Sequence, residues 1–408
     1  MQANTNTNHS TQNEASDRIL EKIRSLAPTV AARAGEAETA ARIPADILGM
    51  LKSAGIFRMT SPKTYGGMEL DYPKVARVLQ AIAKIDGSIG WVCTLANGGA
   101  LFLPLLAREI VEKVYCNGPD LLCAGSSQPG GTAEQEADGW RVNGRWPLAS
   151  GCQHADWIAA VCLLTRHKKP LQGPDDGIPA ARLVCLPARC WQIEETWQAS
   201  GLRATGSHHI VLRDTFVPSA NLMDMASTRP CEPGPLYSAP GHFAALAHGP
   251  VTLGLAEGAM DDIMTMARSG RKQSRAVVAM RDSEIFQYEL GRMQADFRAA
   301  QALSDAQVAS YWQHALAGTL NNEAPLVEGI QATIWITEAC VRVVRRCFAL
   351  AGGAAVYESY PLQRRLRDIE VAAQHAAVQQ RHYTKAGKLL LSPTSGGLSA
   401  RRRRSGLP

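Results

Sequence analysis

Apolar residues early in the chain recur at intervals of three and four. Between 17 and 35, Ile19, Leu20, Ile23 and Leu26 share one helical face. A second helix follows Pro44 through Ile47, Leu48 and Leu51, and Gly55 ends it. A turn cluster over 62–67 leads to a third helix over 72–85 and a small-residue helix over 92–102. Around Leu121 the texture changes to short alternating runs bounded by Gly, Pro, Asn and Asp, which predicts strands over 121–125, 140–142, 157–163, 181–186 and 209–213. Helical periodicity returns over 242–268, 283–317, 325–351 and 362–391. The first 14 residues carry too few apolar groups to offset the entropy of ordering them. The expected plan is a disordered tail over 1–14, an N-terminal helical domain over 15–120, a central β domain over 121–225, a C-terminal helical bundle over 240–392 and a basic flexible tail over 393–408.

Composition narrows the function classes. A chain of 408 residues, 46% hydrophobic and 20% charged, suffices for two or three packed units. No run resembles the roughly 18 apolar residues of a membrane span, and the polar N-terminus is no secretory signal, so a cytoplasmic location and no membrane partner are expected. The ten cysteines are scattered without any CxxC pair or zinc spacing. The net charge of +6 leans on Arg401 to Arg404, a solvated end rather than a nucleic-acid face. Neither a dinucleotide-binding G-x-G-x-x-G nor a P-loop occurs, so no nicotinamide site is visible. His208 and His209, adjacent on a strand, point to opposite faces and cannot share a metal; none is expected.

The chemistry concentrates in 352–375, GGAAVYESYPLQRRLRDIEVAAQH. Gly352 and Gly353 leave backbone bare for close approach, Pro361 stops what precedes it, and a helix from Leu362 would place Arg364, Arg367, Asp368 and His375 on one polar face. This block resembles the acyl-CoA dehydrogenase superfamily, and specifically its two-component flavin-dependent monooxygenase branch of aromatic and indole-acid hydroxylases. The likeness runs nearly the whole chain. It implies a mostly α fold with a β middle: an N-terminal helical domain, a central β-barrel-like domain and a C-terminal four-helix bundle. In the dehydrogenases the residue before the Tyr-Pro pair is the glutamate that removes the substrate α-proton. Here it is Ser359, with Glu358 beside it, while His375 stands where the monooxygenases carry a histidine.

The resemblance assigns further roles. The "GS.GW" segment puts Trp91 on a helix lining flavin and substrate, with Asn97 near where phenol hydroxylases carry a histidine. Ser126 and Gln128 lie in a loop that offers donors to a planar polar ligand. Ser150 is expected near the flavin N5 and Trp157 against the ring, since a C4a-hydroperoxide needs a hydrogen bond and a dry wall to survive. Thr205 and Ser207 sit in a "W…G.R.TGS" loop that closes the flavin pocket. Arg271 stands at the position of a flavin-phosphate arginine, with Lys272 and Arg275 as neighbours that could take that role. Gly352 and Gly353 are expected to reach a neighbour's cofactor. His375 and Ser150 are the catalytic candidates, and Asn97, Tyr357 and Ser359 the substrate-facing ones.

The implied function is the oxygenase component of a two-component monooxygenase. It would take reduced FMN or FAD from a separate NAD(P)H-dependent flavin reductase, form a C4a-hydroperoxyflavin with O2, and hydroxylate an aromatic or heteroaromatic small molecule. The missing histidine near Asn97 favours an indole-type acid such as indole-3-acetate over a simple phenol. The alternatives are N- or S-oxygenation on the same fold, an acyl-CoA dehydrogenase or oxidase, and a catalytically silent bundle. A homotetramer, built as a dimer of dimers, is expected.

Overall fold

The computed structural model describes residues 2–392 apart from 174–176, 228 and 321, with backbone alone for 2–11. The basic tail expected over 393–408 lies outside the described residues. Six helices come first: α1 (Gln2–Ala32), α2 (Ala34–Ala40), α3 (Ala45–Ala54), α4 (Tyr72–Ile85), α5 (Gly87–Phe102) and α6 (Arg108–Val114). Eight strands follow: β1 (Cys123–Gln135), β2 (Gly139–Ala149), β3 (Trp157–Arg166), β4 (Lys169–Pro170), β5 (Ala181–Pro187), β6 (Gln192–Glu194), β7 (His208–Pro218) and β8 (Leu222–Met223). Six more helices complete the chain: α7 (Pro240–Leu246), α8 (His248–Arg268), α9 (Glu284–Leu316), α10 (Glu323–Ala351), α11 (Pro361–Ala372) and α12 (Tyr383–Leu391).

The strands form one sheet in the order β6-β7-β2-β1-β3-β5-β8, with β4 on β3. Among the described residues its two ends do not pair, so the sheet is open where a barrel-like domain is expected. The sheet's core gathers around Trp146, which is fully buried and donates from Nε1 to the Val161 carbonyl at 2.6 Å.

The structure differs from the sequence reading in three further places. Helix α1 begins at Gln2, inside the expected tail; further along it Gln12 is buried and its Oε1 accepts from the Asp71 amide at 2.9 Å. The stretch Gly87–Leu105 is long and apolar enough to cross a membrane, contrary to the reading that no run approaches that length; 72% of it is buried inside the fold. The helix expected over 362–391 breaks after Ala372. In a continuing α-helix the Ala372 carbonyl would accept from the amide four residues on. It accepts instead from His248 Nε2 at 2.9 Å and from the His375 amide at 3.1 Å.

Helix α11 is where the parts of the chain meet. Arg367 spans three of them, with Nη2 on Glu38 of α2 at 3.0 Å, Nη1 on the Ser200 carbonyl at 2.9 Å and Nε on Gln363 at 2.8 Å. Arg365 pairs with Asp262 of α8 at 2.5 Å and donates to the Lys84 carbonyl at the end of α4 at 2.7 Å. Asp368 accepts from the Leu202 amide at 2.6 Å, and Gly201 lies so close that a Cβ there would stand 2.1 Å from the Arg367 carbonyl oxygen.

Candidate active site

A cavity of about 1080 Å³ opens where α5, the starts of β1 and β3, β5, α7, α10 and the segment 371–382 converge. That volume exceeds the few hundred cubic ångströms a single small ligand fills and admits a flat tricyclic ring together with a second molecule. Trp91, Trp157 and Trp197 contribute aromatic wall, and Leu95, Phe102 and Ile330 are among its apolar members. Cys123 and Cys185 also face it; burial pushes both thiols up, Cys185 to about 12, so they line the wall as neutral groups. No carboxylate lines the cavity among the described residues, and its one permanently charged group is Arg381.

Seven of the residues singled out in the sequence share this wall: Trp91, Ser126, Gln128, Ser150, Trp157, Ser207 and His375. Asn97 and Thr205 stand behind it. Asn97 is 2% exposed and its amide is fully engaged, donating to the Ile56 and Cys93 carbonyls at 3.0 and 2.9 Å and accepting from Thr60 at 3.1 Å. It pins α5 to the turn after α3 rather than facing the cavity expected of a substrate contact. The remaining five lie outside the wall. Tyr357 is 68% exposed, Ser359, Gly353 and Arg271 are exposed, and Gly352 packs against Gln273 at the outer end of α10. Glu358 is exposed there as well.

A chain of hydroxyls runs from the cavity into the loop. Trp91 Nε1 donates to Ser150 Oγ at 3.1 Å, Ser150 Oγ and Ser207 Oγ are 2.7 Å apart, Ser207 Oγ and Thr205 Oγ1 2.6 Å, and Thr205 Oγ1 donates to the Leu202 carbonyl at 2.7 Å. A carbonyl only accepts, so the single Thr205 hydroxyl proton is committed to it. Thr205 therefore accepts from Ser207, and Ser207 from Ser150. Both serines spend their protons along the chain and present lone pairs on the cavity side.

His375 sits just past the end of α11, not on its polar face. Its Nδ1 accepts from the Ala377 amide at 3.3 Å, so the neutral ring carries its proton on Nε2. Burial lowers its pKa, which keeps the ring neutral near pH 7. The ring packs edge-on against Trp91, with centroids 5.5 Å apart, and lies 5.0 Å from the ring of His248. His248, behind the wall against Trp91 and His375, is a neighbour of the site that sequence reasoning missed. It is 6% exposed, burial lowers its pKa to about 3, and its hydrogen bond to the Ala372 carbonyl makes the break that turns His375 toward the cavity. It opens an ordinary helix in sequence and carried no motif to mark it.

Asp368, 2% exposed, has its carboxyl pushed up to about 7, first by burial and then by the neighbouring Asp86. The native protein therefore holds a proton there that the unfolded chain releases near pH 4, and stability falls as pH rises across that window, by up to about 1.4 kcal/mol per unit. Asp368→Asn is expected to flatten the fall, read by urea unfolding at pH 5 and pH 8. An equal drop in both proteins would contradict it.

Comparison with known proteins places this geometry. Residues 13–108 match the family described as Acyl-CoA dehydrogenase, N-terminal domain, and residues 246–380 match Acyl-CoA dehydrogenase, C-terminal domain. An indole-3-acetate monooxygenase from Pseudomonas putida is 31% identical over 362 residues, 88% of this chain and 90% of the relative. The flavin-dependent monooxygenase oxygenase subunit HsaA of Rhodococcus jostii is 28% identical, over 88% of this chain and 94% of its own. The solved structure of XiaF from Streptomyces in complex with FADH2 and glycerol superposes with a TM-score of 0.86 at 26% identity, covering 95% of this chain and 98% of that one.

Proposed function

The chain belongs to the acyl-CoA dehydrogenase family, among its flavin-dependent monooxygenases, and on that premise we propose that it hydroxylates an indole-type aromatic acid with reduced flavin from a separate NAD(P)H-dependent reductase. The observation that carries this reading is a cavity with His375, two hydroxyl acceptors and three tryptophans on its wall and, among the described residues, no carboxylate. The dehydrogenases of the family remove the substrate α-proton with a glutamate. Glu358, beside the position where the dehydrogenases carry that base, is at the surface of this chain and off the cavity wall, which speaks against the dehydrogenase reading.

Trp91, Ser126, Gln128, Ser150, Trp157 and Ser207 would hold the ring of FMN or FAD. When bound, reduced flavin would supply the two electrons and two hydrogens that let O2 place one oxygen atom in the substrate and release the other as water. The lone pairs of Ser150 suit a ring N–H, the tryptophans and apolar wall exclude water, and His375 Nε2–H is a donor for an oxygen that must leave as hydroxide. The relatives named for indole-3-acetate support the indole-type acid.

Stopped-flow mixing of the anaerobic protein and reduced FMN or FAD with oxygenated buffer tests this. A long-lived peroxyflavin absorbance that decays faster with indole-3-acetate is expected. Immediate formation of oxidised flavin with both cofactors would sink the proposal.

We further propose a homotetramer in which the outer end of α10 meets a neighbour and brings Arg271, Gly352 and Gly353 toward that neighbour's flavin. Apolar side chains crowd this end: Val277 is 89% exposed, Ile285 74% and Val356 62%. The 271–282 loop is fixed there by Gln273 Nε2, which donates to the Leu350 carbonyl at 2.6 Å. Light scattering on the eluting protein is expected to give four chains, and a stable monomer would contradict it.

A further inference from the structure

The cavity is apolar over most of its wall, yet it is not electrically neutral. Arg381 is its one permanent charge, and no Asp or Glu on the wall offsets it among the described residues. Nor does Arg381 spend its guanidinium elsewhere: among the described residues it has no ion pair and no side-chain hydrogen bond, in contrast to Arg365 and Arg367, which are fully engaged. An unpaired guanidinium beside an apolar chamber is poised for a planar oxyanion, which it can take with two parallel hydrogen bonds.

Side-chain hydrogen bonds fix the turn that carries Arg381, whose own side chain is exposed to solvent and free to swing onto a ligand. Arg381 lies in the single turn Gln380–His382. On one side Gln379 Nε2 donates to the Gln374 carbonyl at 3.0 Å, and on the other His382 Nε2 meets the Ala376 carbonyl at 2.9 Å. Both anchors belong to the turn that carries His375. The guanidinium and the histidine are thus mounted on one scaffold.

We infer that Arg381 is the anion-binding residue of this cavity, closing on the oxyanion of a bound ligand. The inference rests on the monooxygenase reading and deepens it. Two ligands of that reading carry such a group, the carboxylate of an aromatic acid and the phosphate of the flavin, and the test separates them. Titration calorimetry compares indole-3-acetate with the neutral indole-3-acetamide and, under anaerobic conditions, reduced FMN with reduced riboflavin, on the full chain and on R381Q and R381K.

The unaltered chain is expected to prefer the anionic member of one pair by about tenfold or more, R381Q to erase that preference, and R381K to keep part of it. Loss of the acid-over-amide preference alone assigns the carboxylate; loss of the FMN-over-riboflavin preference alone assigns the phosphate. If R381Q leaves both ratios where the unaltered protein has them, or the unaltered protein has no preference in either pair, the inference is overturned while the flavin chemistry stands. If the unaltered protein binds neither reduced flavin, the monooxygenase reading fails and takes this one with it.

Discussion

His375→Ala is expected to lower the yield of hydroxylated product per flavin oxidised by about 100-fold, with the missing product appearing as hydrogen peroxide. The ring is neutral, its Nδ1 is occupied by the Ala377 amide, and Nε2–H is the donor left to the cavity. Among the described residues nothing else on the wall combines a titratable donor with that position: His382 Nε2 is already on the Ala376 carbonyl, and Ser150 and Ser207 have no free proton. Alanine also removes the acceptor that caps the turn, so His375→Asn is the necessary companion. Its side-chain oxygen can still cap Ala377, but it neither donates from the same place nor titrates. If asparagine restores full product yield, the histidine is a cap and no more. Binding of reduced flavin, followed by fluorescence, should stay within a few-fold in both variants.

Gly201→Ala is expected to destabilise the protein by about 3 kcal/mol or more. The new methyl would meet the Arg367 carbonyl carbon at 2.3 Å as well as its oxygen, and both belong to helical backbone that cannot rotate aside. Relief requires the loop to lift from α11, which breaks the Leu202 amide bond to Asp368 and loosens the Leu202 carbonyl on which the hydroxyl chain ends. Urea unfolding measures the loss, with Gly49→Ala as the control. Gly49 lies in α3 with nothing within 4 Å of its missing Cβ, so alanine there should be neutral or slightly stabilising. Equal effects at the two glycines would contradict the clash.

The sequence made legible whatever rests on local pattern. Alternation located the strands and helical spacing the bundle, and the motifs around Trp91, Ser150, Ser207 and His375 named residues that now share one cavity. What it concealed depends on distant partners. Nothing in VAAQHAAV marks a helix end; the break comes from His248, more than a hundred residues earlier, capturing the Ala372 carbonyl. Asn97 reads as a polar residue on a lining helix, but the carbonyls of Ile56 and Cys93 claim it first. Arg381 was hidden for the same reason as the break, since a continuous helix over 362–391 gives no cause to place it beside His375.

The chain from Trp91 to Leu202 is closed at both ends. Its first member is an indole N–H, far too weak an acid to release a proton, and its last is an amide carbonyl, far too weak a base to keep one. Protons cannot hop along it to solvent, however well its oxygens are aligned. It is a dead end for proton traffic, and a proton at Ser150 has no way through the loop.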